Sequence, residues 1–173
     1  ASMAKRKKSE RNFQLLGRSA IAVALAFLVV LFFSIFSKGL PGFFQYYVEI
    51  EVEIEREKLD PTGNMSLQSL YDGDARGVIR SALYAAVDAE GRKNKRAAGK
   101  LISSGAEQRL REVVFDDPSL MDTTQTLRFA LDDDVDSFLR GFIKRETPEK
   151  DRRISDKMVE YIDRLQSDGK IVY

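Results

Sequence analysis

The strongest hydrophobic pattern in the chain is an apolar run near the N-terminus. From Ala20 to Phe36 the sequence contains nothing more polar than one serine. Nineteen uncharged residues lie between Arg18 and Lys38. At about 1.5 Å per residue they span roughly 28 Å as a helix, close to the ~30 Å hydrocarbon core of a bilayer. The pattern predicts a transmembrane helix over residues 19–37.

Two other interpretations of this run are a buried core helix and a cleaved signal peptide. Core helices seldom contain so many consecutive apolar residues. A signal peptide shares the basic start, but its apolar region usually has only about 7–15 residues. The stretch that follows the run, Ser37–Phe44, also lacks a small-x-small cleavage pattern. We therefore expect a retained membrane anchor.

After residue 45 the pattern changes to that of a mixed domain. Val48, Ile50, Val52 and Ile54 alternate with glutamates, which predicts a strand with one buried face. Prolines and glycines predict a loop over residues 59–74. Further strands are predicted over residues 126–131 and 170–173, where alternation or β-branched residues recur.

Helical spacing of apolar positions predicts the remaining elements. A helix capped by Asp74 should run to about Ala89, and residues 91–114 should form two short helices separated near Ser104. Ser104 followed by Glu107 has the spacing of a capping box. Residues 132–143, capped by Asp134 or a neighbour, should form a helix whose apolar face contains Val135, Phe138, Leu139, Phe142 and Ile143. Residues 156–169, capped by Ser155, should also be helical. The chain is therefore predicted to be an α+β domain, residues 45–173, with two or three strands and about five helices, behind one transmembrane helix.

The distribution of charge predicts on which side of the membrane each part of the chain lies. Residues 1–37 carry six Lys or Arg and one Glu, whereas residues 38–173 carry 22 Lys or Arg and 26 Asp or Glu. Lys and Arg concentrate on the side of a membrane that stays in the cytoplasm. The basic tail, residues 1–18, is therefore predicted to be cytoplasmic, with residues 1–3 a remnant of cloning, and residues 38–173 extracytoplasmic. Beside a membrane span, such a tail is expected to fix the membrane topology and attract anionic lipid, and not to bind nucleic acid.

The boundary after the run has its own pattern. Gly39, Pro41 and Gly42 are predicted to end the helix. Aromatic residues follow at the depth of the outer membrane interface, where amphipathic rings are enriched: Phe43, Phe44, Tyr46 and Tyr47. We expect them to anchor the outer end of the helix.

Composition argues against an enzyme. The chain has no cysteine and no histidine, which removes disulfides, thiolate ligands, the usual general base and the usual zinc ligand. Walker loops, dinucleotide fingerprints and nucleophile elbows are also missing from the sequence. No catalytic, cofactor-binding or metal-ligating residue is predicted.

Three charged clusters are candidate binding sites. The alternating glutamates of the first strand, Glu49 to Glu55, could collect cations, but we interpret them as a solubilising surface of an exposed strand. The cluster of Arg92, Lys93, Lys95 and Arg96 invites a phosphate hypothesis, but a solvated turn is the preferred interpretation. The carboxylates Asp132, Asp133, Asp134 and Asp136 lack the glycine and late glutamate of a calcium loop, and they complement a helix start.

Several blocks taken in order resemble a known family. They are ERNFQLLGRSAIAVALAFLVVLFFSIFSKGLPGF from Glu10, RSALYAAVDAEGRKNKRAAGKLISSGAEQRLREVV from Arg80, and then DPSL, DDDVD and DRRISDKMVEYIDRLQSDG. Together they resemble the N-terminal region of phosphate ABC transporter permeases (PstA) that carry an extra domain after the first membrane helix. The resemblance covers nearly the whole chain from about Glu10.

The resemblance implies a subunit of an ATP-driven phosphate importer in the bacterial inner membrane, with residues 38–173 in the periplasm. Its implied partners are a second permease subunit, an ATPase subunit and a periplasmic phosphate-binding protein. The family permease has further membrane helices that these residues do not contain, so no substrate-contacting residue is transferred. The expected function is an anchor plus an accessory domain that contacts the binding protein or the partner permease. The alternative is a stand-alone single-pass sensor or assembly scaffold without a transport role.

Overall fold

The computed structural model describes residues 2–39 and 44–173, and the chain divides into two compact units, residues 1–44 and 45–173. The first unit holds helix α1, Ser2–Gly39. Its stretch Phe13–Ser37 is long and apolar enough to cross a membrane, and its most apolar part has no buried residue. The helix is longer than the predicted span because the basic tail from Ser2 is helical too. The predicted stop at Pro41 and Gly42 and the prediction for Phe43 lie outside the described residues.

The second unit is built on a three-stranded antiparallel sheet in the order β2-β1-β3. Its strands are β1 Tyr47–Glu53, β2 Thr124–Ala130 and β3 Ile171–Val172. Val48, Ile50 and Val52 of the central strand are at most 1% exposed, as the alternation predicts. All three predicted strands are confirmed.

Seven helices surround this sheet within the described residues after α1, where about five were predicted. They are α2 Arg56–Leu59, α3 Leu67–Asp72, α4 Ala75–Val87, α5 Gly91–Ala98, α6 Ala106–Asp116, α7 Asp133–Leu139 and α8 Asp156–Ser167. Short 3-10 turns form at Pro118–Leu120 and Glu149–Asp151. The mixed α+β class is thus observed. Every buried hydrophobic side chain described lies between Val48 and Leu165, so the second unit has its own core.

The predicted loop over residues 59–74 is wrong in part. Helix α3 forms there because the Ser66 hydroxyl accepts a hydrogen bond from the Ser69 amide at 3.1 Å, and Leu70 packs into the core at 1% exposure. A helix of six residues is too short to display a periodic pattern. Capping and a single buried leucine therefore decide its formation.

Two cap predictions are confirmed and one is wrong. The carboxylate of Asp74 accepts from the Gly77 amide at 2.8 Å, and the Ser155 hydroxyl accepts from the Met158 amide at 3.2 Å. Helix α6, however, starts behind Gly105 without a side-chain cap. The predicted capping box fails because Gly105 and not Ser104 is the N-cap, and Glu107 accepts a hydrogen bond from the Arg76 guanidinium at 2.5 Å.

The predicted helix over residues 132–143 ends early. It stops at Leu139, and Gly141 takes a φ of +79°, a conformation that favours glycine. Phe142 was predicted on the apolar face of this helix, but it lies beyond the turn and is 74% exposed. Val135 and Phe138 are buried as predicted.

The two ends of the second unit lie side by side. Tyr47 at the start of β1 is the register partner of Val172 in β3. The rings of Tyr46 and Tyr173 have centroids 4.6 Å apart. Residues 46–47 and residues 172–173 of this unit are therefore neighbours.

Candidate functional site

The most distinctive surface of the second unit is a row of cations on α5. Arg92, Lys95 and Arg96 are spaced three and four residues apart, which places them on one face of the helix together with Gly99. All three cations are exposed, whereas Ala98 on another face is fully buried. The burial of Ala98 holds α5 against the core and directs the cations outward.

Helix α4 forms the facing wall. Arg80 and Tyr84 are four residues apart on α4, and the Lys95 ammonium lies 5.5 Å from the centroid of the Tyr84 ring. A Cβ atom at Gly99 would lie 3.6 Å from both the Arg80 Nε and the Tyr84 Oη. The end of α5 therefore lies in van der Waals range of these two polar groups.

Between the two walls lies a cavity of about 660 Å³, which we call the basic groove. Its lining contains five cations and no carboxylate. The lining residues are Arg80, Tyr84, Gly91, Arg92, Lys95, Arg96, Gly99 and Lys100. Such a lining attracts anions.

The cations of the groove have no carboxylate partner among the residues that the structure describes. Among residues 44–173, most Lys and Arg side chains form an ion pair within 4.0 Å. In this part of the chain the exceptions outside residues 80–100 are Lys144 and Lys150. The exceptions inside that segment are Arg80, Arg92, Lys93, Lys95, Arg96 and Lys100. Positive charge without compensation is therefore concentrated at the groove.

A second cavity, of about 490 Å³, adjoins the groove and shares Arg80, Gly99 and Lys100 with it. The two cations that belong to this cavity alone are compensated: Arg76 pairs with Glu107 at 2.5 Å, and Arg153 pairs with Asp134 at 3.4 Å. Apolar residues form part of its wall, namely Ile79, Leu83, Ile102 and Met158. Arg80 and Lys100 therefore stand between a purely basic cavity and a mixed one.

Comparison with known proteins assigns a family. The model of a family described as "Domain of unknown function (DUF3333)" matches residues 1–149. The chain belongs to the DUF3333 family. Curated proteins and solved structures gave no match to this chain. The match includes α1 and both walls of the basic groove, but the family description gives no activity, so the groove must be interpreted from its chemistry.

In this DUF3333 chain the aspartates at residues 132–136 are used within the fold. Asp132 caps α7 and accepts from the Asp134 amide at 3.1 Å. The carboxylate of Asp136 accepts from the Tyr46 amide at 2.9 Å and from the Arg140 guanidinium at 2.5 Å. Asp133 lies in the first turn of α7. Among the described residues, no group of three or more carboxylates is placed to hold a metal ion.

The glutamates of β1 lie on the surface that the alternation predicts. Glu49 is opposite Arg128 in the register of β1 and β2, and the two side chains form an ion pair at 2.5 Å. Glu51 and Glu53 are exposed, and Glu55 pairs with Lys58. This arrangement agrees with a solvated strand surface.

The sequence reveals one wall of the basic groove and not the other. Arg92, Lys93, Lys95 and Arg96 form a visible cluster in the sequence, whereas Arg80, Tyr84 and Lys100 do not stand out as part of it. The i, i+4 spacing of Arg80 and Tyr84 on the polar face of a predicted helix was the available signal. It could not show that this face is next to α5, because that contact depends on the packing of both helices on the core.

Proposed function

We propose that this DUF3333 chain is the membrane anchor and extracytoplasmic accessory domain of a permease subunit of an ATP-driven phosphate importer. The observation that supports it most is the side-by-side placement of the Tyr46 and Tyr173 rings, 4.6 Å apart. Domains inserted into a host chain commonly have neighbouring ends, since the host must leave and resume at one point. In a permease the chain must return to the membrane after such an insert, which neighbouring ends allow.

The ordered blocks that resemble phosphate permeases support the same proposal. So does α1, whose stretch Phe13–Ser37 has the length and composition of a span. The excess of Lys and Arg before the span supports a cytoplasmic N-terminus and a periplasmic location for residues 38–173. In this arrangement the domain stands at the outer face of the inner membrane, where a loaded phosphate-binding protein arrives. Contact with that protein or with the partner permease subunit is its proposed role.

Excision of the domain tests the proposal. In the full-length permease of the source bacterium, residues 46–172 are replaced by a short Gly/Ser linker, which the neighbouring ends allow. We expect phosphate uptake to fall while the amount of permease in the membrane, measured through an epitope tag, stays equal. Unchanged uptake at equal abundance would contradict the accessory role.

The apparent mass of the native protein separates this proposal from a stand-alone sensor or scaffold. An antibody against residues 45–173 is used on membranes of the source organism. A band well above 19.6 kDa is expected, since a permease continues into further spans. A band near 19.6 kDa would favour the single-pass alternative.

Orientation can be measured with single cysteines, because the chain has none of its own. Ser9→Cys places a thiol in the basic tail, and Lys150→Cys places one in the second unit. In intact spheroplasts, a membrane-impermeant maleimide should label the second variant and leave the first unlabelled until the membrane is opened. The reverse labelling would contradict the proposed topology.

A further inference from the structure

We propose that the basic groove binds a ligand that carries two or more phosphate groups. The site consists of Arg80 from α4, Arg92, Lys95 and Arg96 from α5, and Lys100 directly after α5. This inference goes beyond the proposed function, because it concerns the outer domain alone and does not require a role in transport.

The first argument is the contrast between two neighbouring cavities. In the adjoining cavity, Arg76 and Arg153 are compensated by carboxylates of the same lining. In the basic groove, no carboxylate belongs to the lining and none of its five cations forms an ion pair with a described residue. Surface charges of a folded domain are usually interspersed in sign. Residues 38–173 contain more acidic than basic side chains, so the unmixed lining of the groove is a local departure.

The second argument is the cost of this arrangement to the free protein. Arg92 and Arg96 are like charges at i, i+4 on α5, a spacing that destabilises a helix. Lys95 adds a third cation on the same face. An anion bound in the groove converts these repulsions into attractions, so ligand binding stabilises α5.

The groove presents donors suited to phosphate. Guanidinium groups have planar forks that bond phosphate oxygens in pairs, and lysine ammonium groups act as mobile point charges. Arg80, Arg92 and Arg96 supply three such forks, and the Tyr84 hydroxyl beside Gly99 is a further polar group. All five cations are exposed, so a soluble ligand or a lipid headgroup reaches them without a conformational change.

The number and distribution of the cations indicate more than one phosphate group. The three lining cations of α5 extend roughly 6 Å along the helix from Arg92 to Arg96, at about 1.5 Å per residue. Arg80 on α4 and Lys100 after α5 add two further cations to the same lining. A ligand with two or more linked phosphates contacts more of these five cations than a single tetrahedral anion and neutralises more of their charge.

The test is calorimetry of the full chain in an uncharged maltoside detergent, with inorganic pyrophosphate and orthophosphate as probes. Pyrophosphate should bind saturably and at least about tenfold more tightly than orthophosphate, because it engages more charge-assisted contacts. Absence of saturable pyrophosphate binding, or equal affinity for the two anions, would overturn the proposal.

Two lysine pairs provide a matched comparison. Lys95→Ala with Lys100→Ala removes two exposed cations of the groove, and Lys144→Ala with Lys150→Ala removes two exposed, unpaired cations elsewhere in residues 44–173. The two variants have the same net charge and composition. The first should lose at least about tenfold in pyrophosphate affinity and the second should retain wild-type affinity. Equal losses would mean nonspecific attraction and would refute a site. Circular dichroism confirms that both variants keep their helices.

A second arm identifies the source of the phosphate groups. The chain is placed in nanodiscs of neutral lipid, with or without diphosphatidylglycerol, whose headgroup carries two phosphates. A fall in pyrophosphate affinity in the presence of this lipid supports occupation of the groove by a lipid headgroup. Unchanged affinity supports a soluble ligand. Loss of the lipid effect in the Lys95→Ala, Lys100→Ala variant is required for the lipid assignment.

Discussion

At the scale of single residues, the buried carboxylate of Asp60 organises the turn between α2 and α3. Asp60 is 3% exposed, and its carboxylate accepts from the Ser69 hydroxyl, the Gly63 amide at 3.1 Å and the Met65 amide at 3.0 Å. Met65 has a φ of +53°, which is unfavourable for a residue with a side chain. The hydrogen bonds to Asp60 therefore hold a strained turn in place.

This environment makes part of the domain's stability depend on pH. The hydrogen bond from Ser69, followed by those from the Met65 and Gly63 amides, lowers the pKa of Asp60 below its ordinary value of 3.8. A carboxyl group whose pKa is lower in the folded state stabilises that state above its unfolded pKa, and the effect disappears as pH falls through the folded pKa. The stabilisation should be complete at neutral pH and decline below about pH 4.

Asp60→Asn tests this directly. At pH 7 the variant of residues 45–173 should unfold at a lower urea concentration than the wild type. The gap between the two should shrink as pH falls below about 4, because the wild-type carboxylate is then being protonated. Asp116→Asn, at an exposed position without a hydrogen bond or ion pair in the described chain, should leave the urea midpoint unchanged. A gap that stays constant with pH would contradict the assigned role of Asp60.

At the scale of elements, the sequence pattern was informative where a helix or strand was long enough to show a period. The alternation of β1 and the apolar stripes of α4 and α8 were sufficient to predict all three elements. Helices α2 and α3 have four and six residues, and their existence depends on Leu59 and Leu70 being buried and on the cap at Ser66. The predicted capping box at Ser104 fails because α6 begins one residue later, with Gly105 at the N-cap. Glu107 forms an ion pair with Arg76, a partner distant in sequence that local patterns do not reveal.

The junction between α3 and α4 provides a prediction about backbone packing. A Cβ atom at Gly73 would lie 2.1 Å from the carbonyl oxygen of Leu59, although the φ of −73° at this glycine suits any residue. Backbone atoms would have to move, so Gly73→Ala should lower the free energy of unfolding by about 3 kcal/mol. Urea unfolding of residues 45–173 measures the change.

Gly105→Ala is the matched control for this substitution. At Gly105 a Cβ atom would have its nearest neighbour, the Ser103 hydroxyl, at 3.7 Å, and the φ of −70° is again ordinary. The change should therefore stay within about 0.5 kcal/mol. If Gly73→Ala were equally mild, α2 and the start of α4 would not be packed backbone to backbone.

At the scale of the whole molecule, the sequence predicted the division into an apolar helix and a mixed domain, since composition and period change sharply between Phe36 and Tyr47. It did not predict which surfaces of the domain meet. Arg80 of α4 and Arg96 of α5 line the same basic groove, and Tyr46 and Tyr173, which are far apart in the sequence, are neighbours in the fold. Both features depend on how the elements pack on one core, so neither can be derived from local spacing.

The neighbouring ends lead to a last prediction, a circular permutant of residues 45–173. A short Gly/Ser linker joins Tyr173 to Gln45, and new ends are opened between the exposed Glu146 and the half-buried Thr147, in a segment outside the helices and strands. Because loop closure costs little when the joined ends already meet, the free energy of unfolding should change by only about 1 kcal/mol. A second permutant opened between Glu51 and Val52 interrupts the central strand and should fail to fold. If both permutants failed equally, the two ends would not lie together, and the argument for an inserted domain would lose its support.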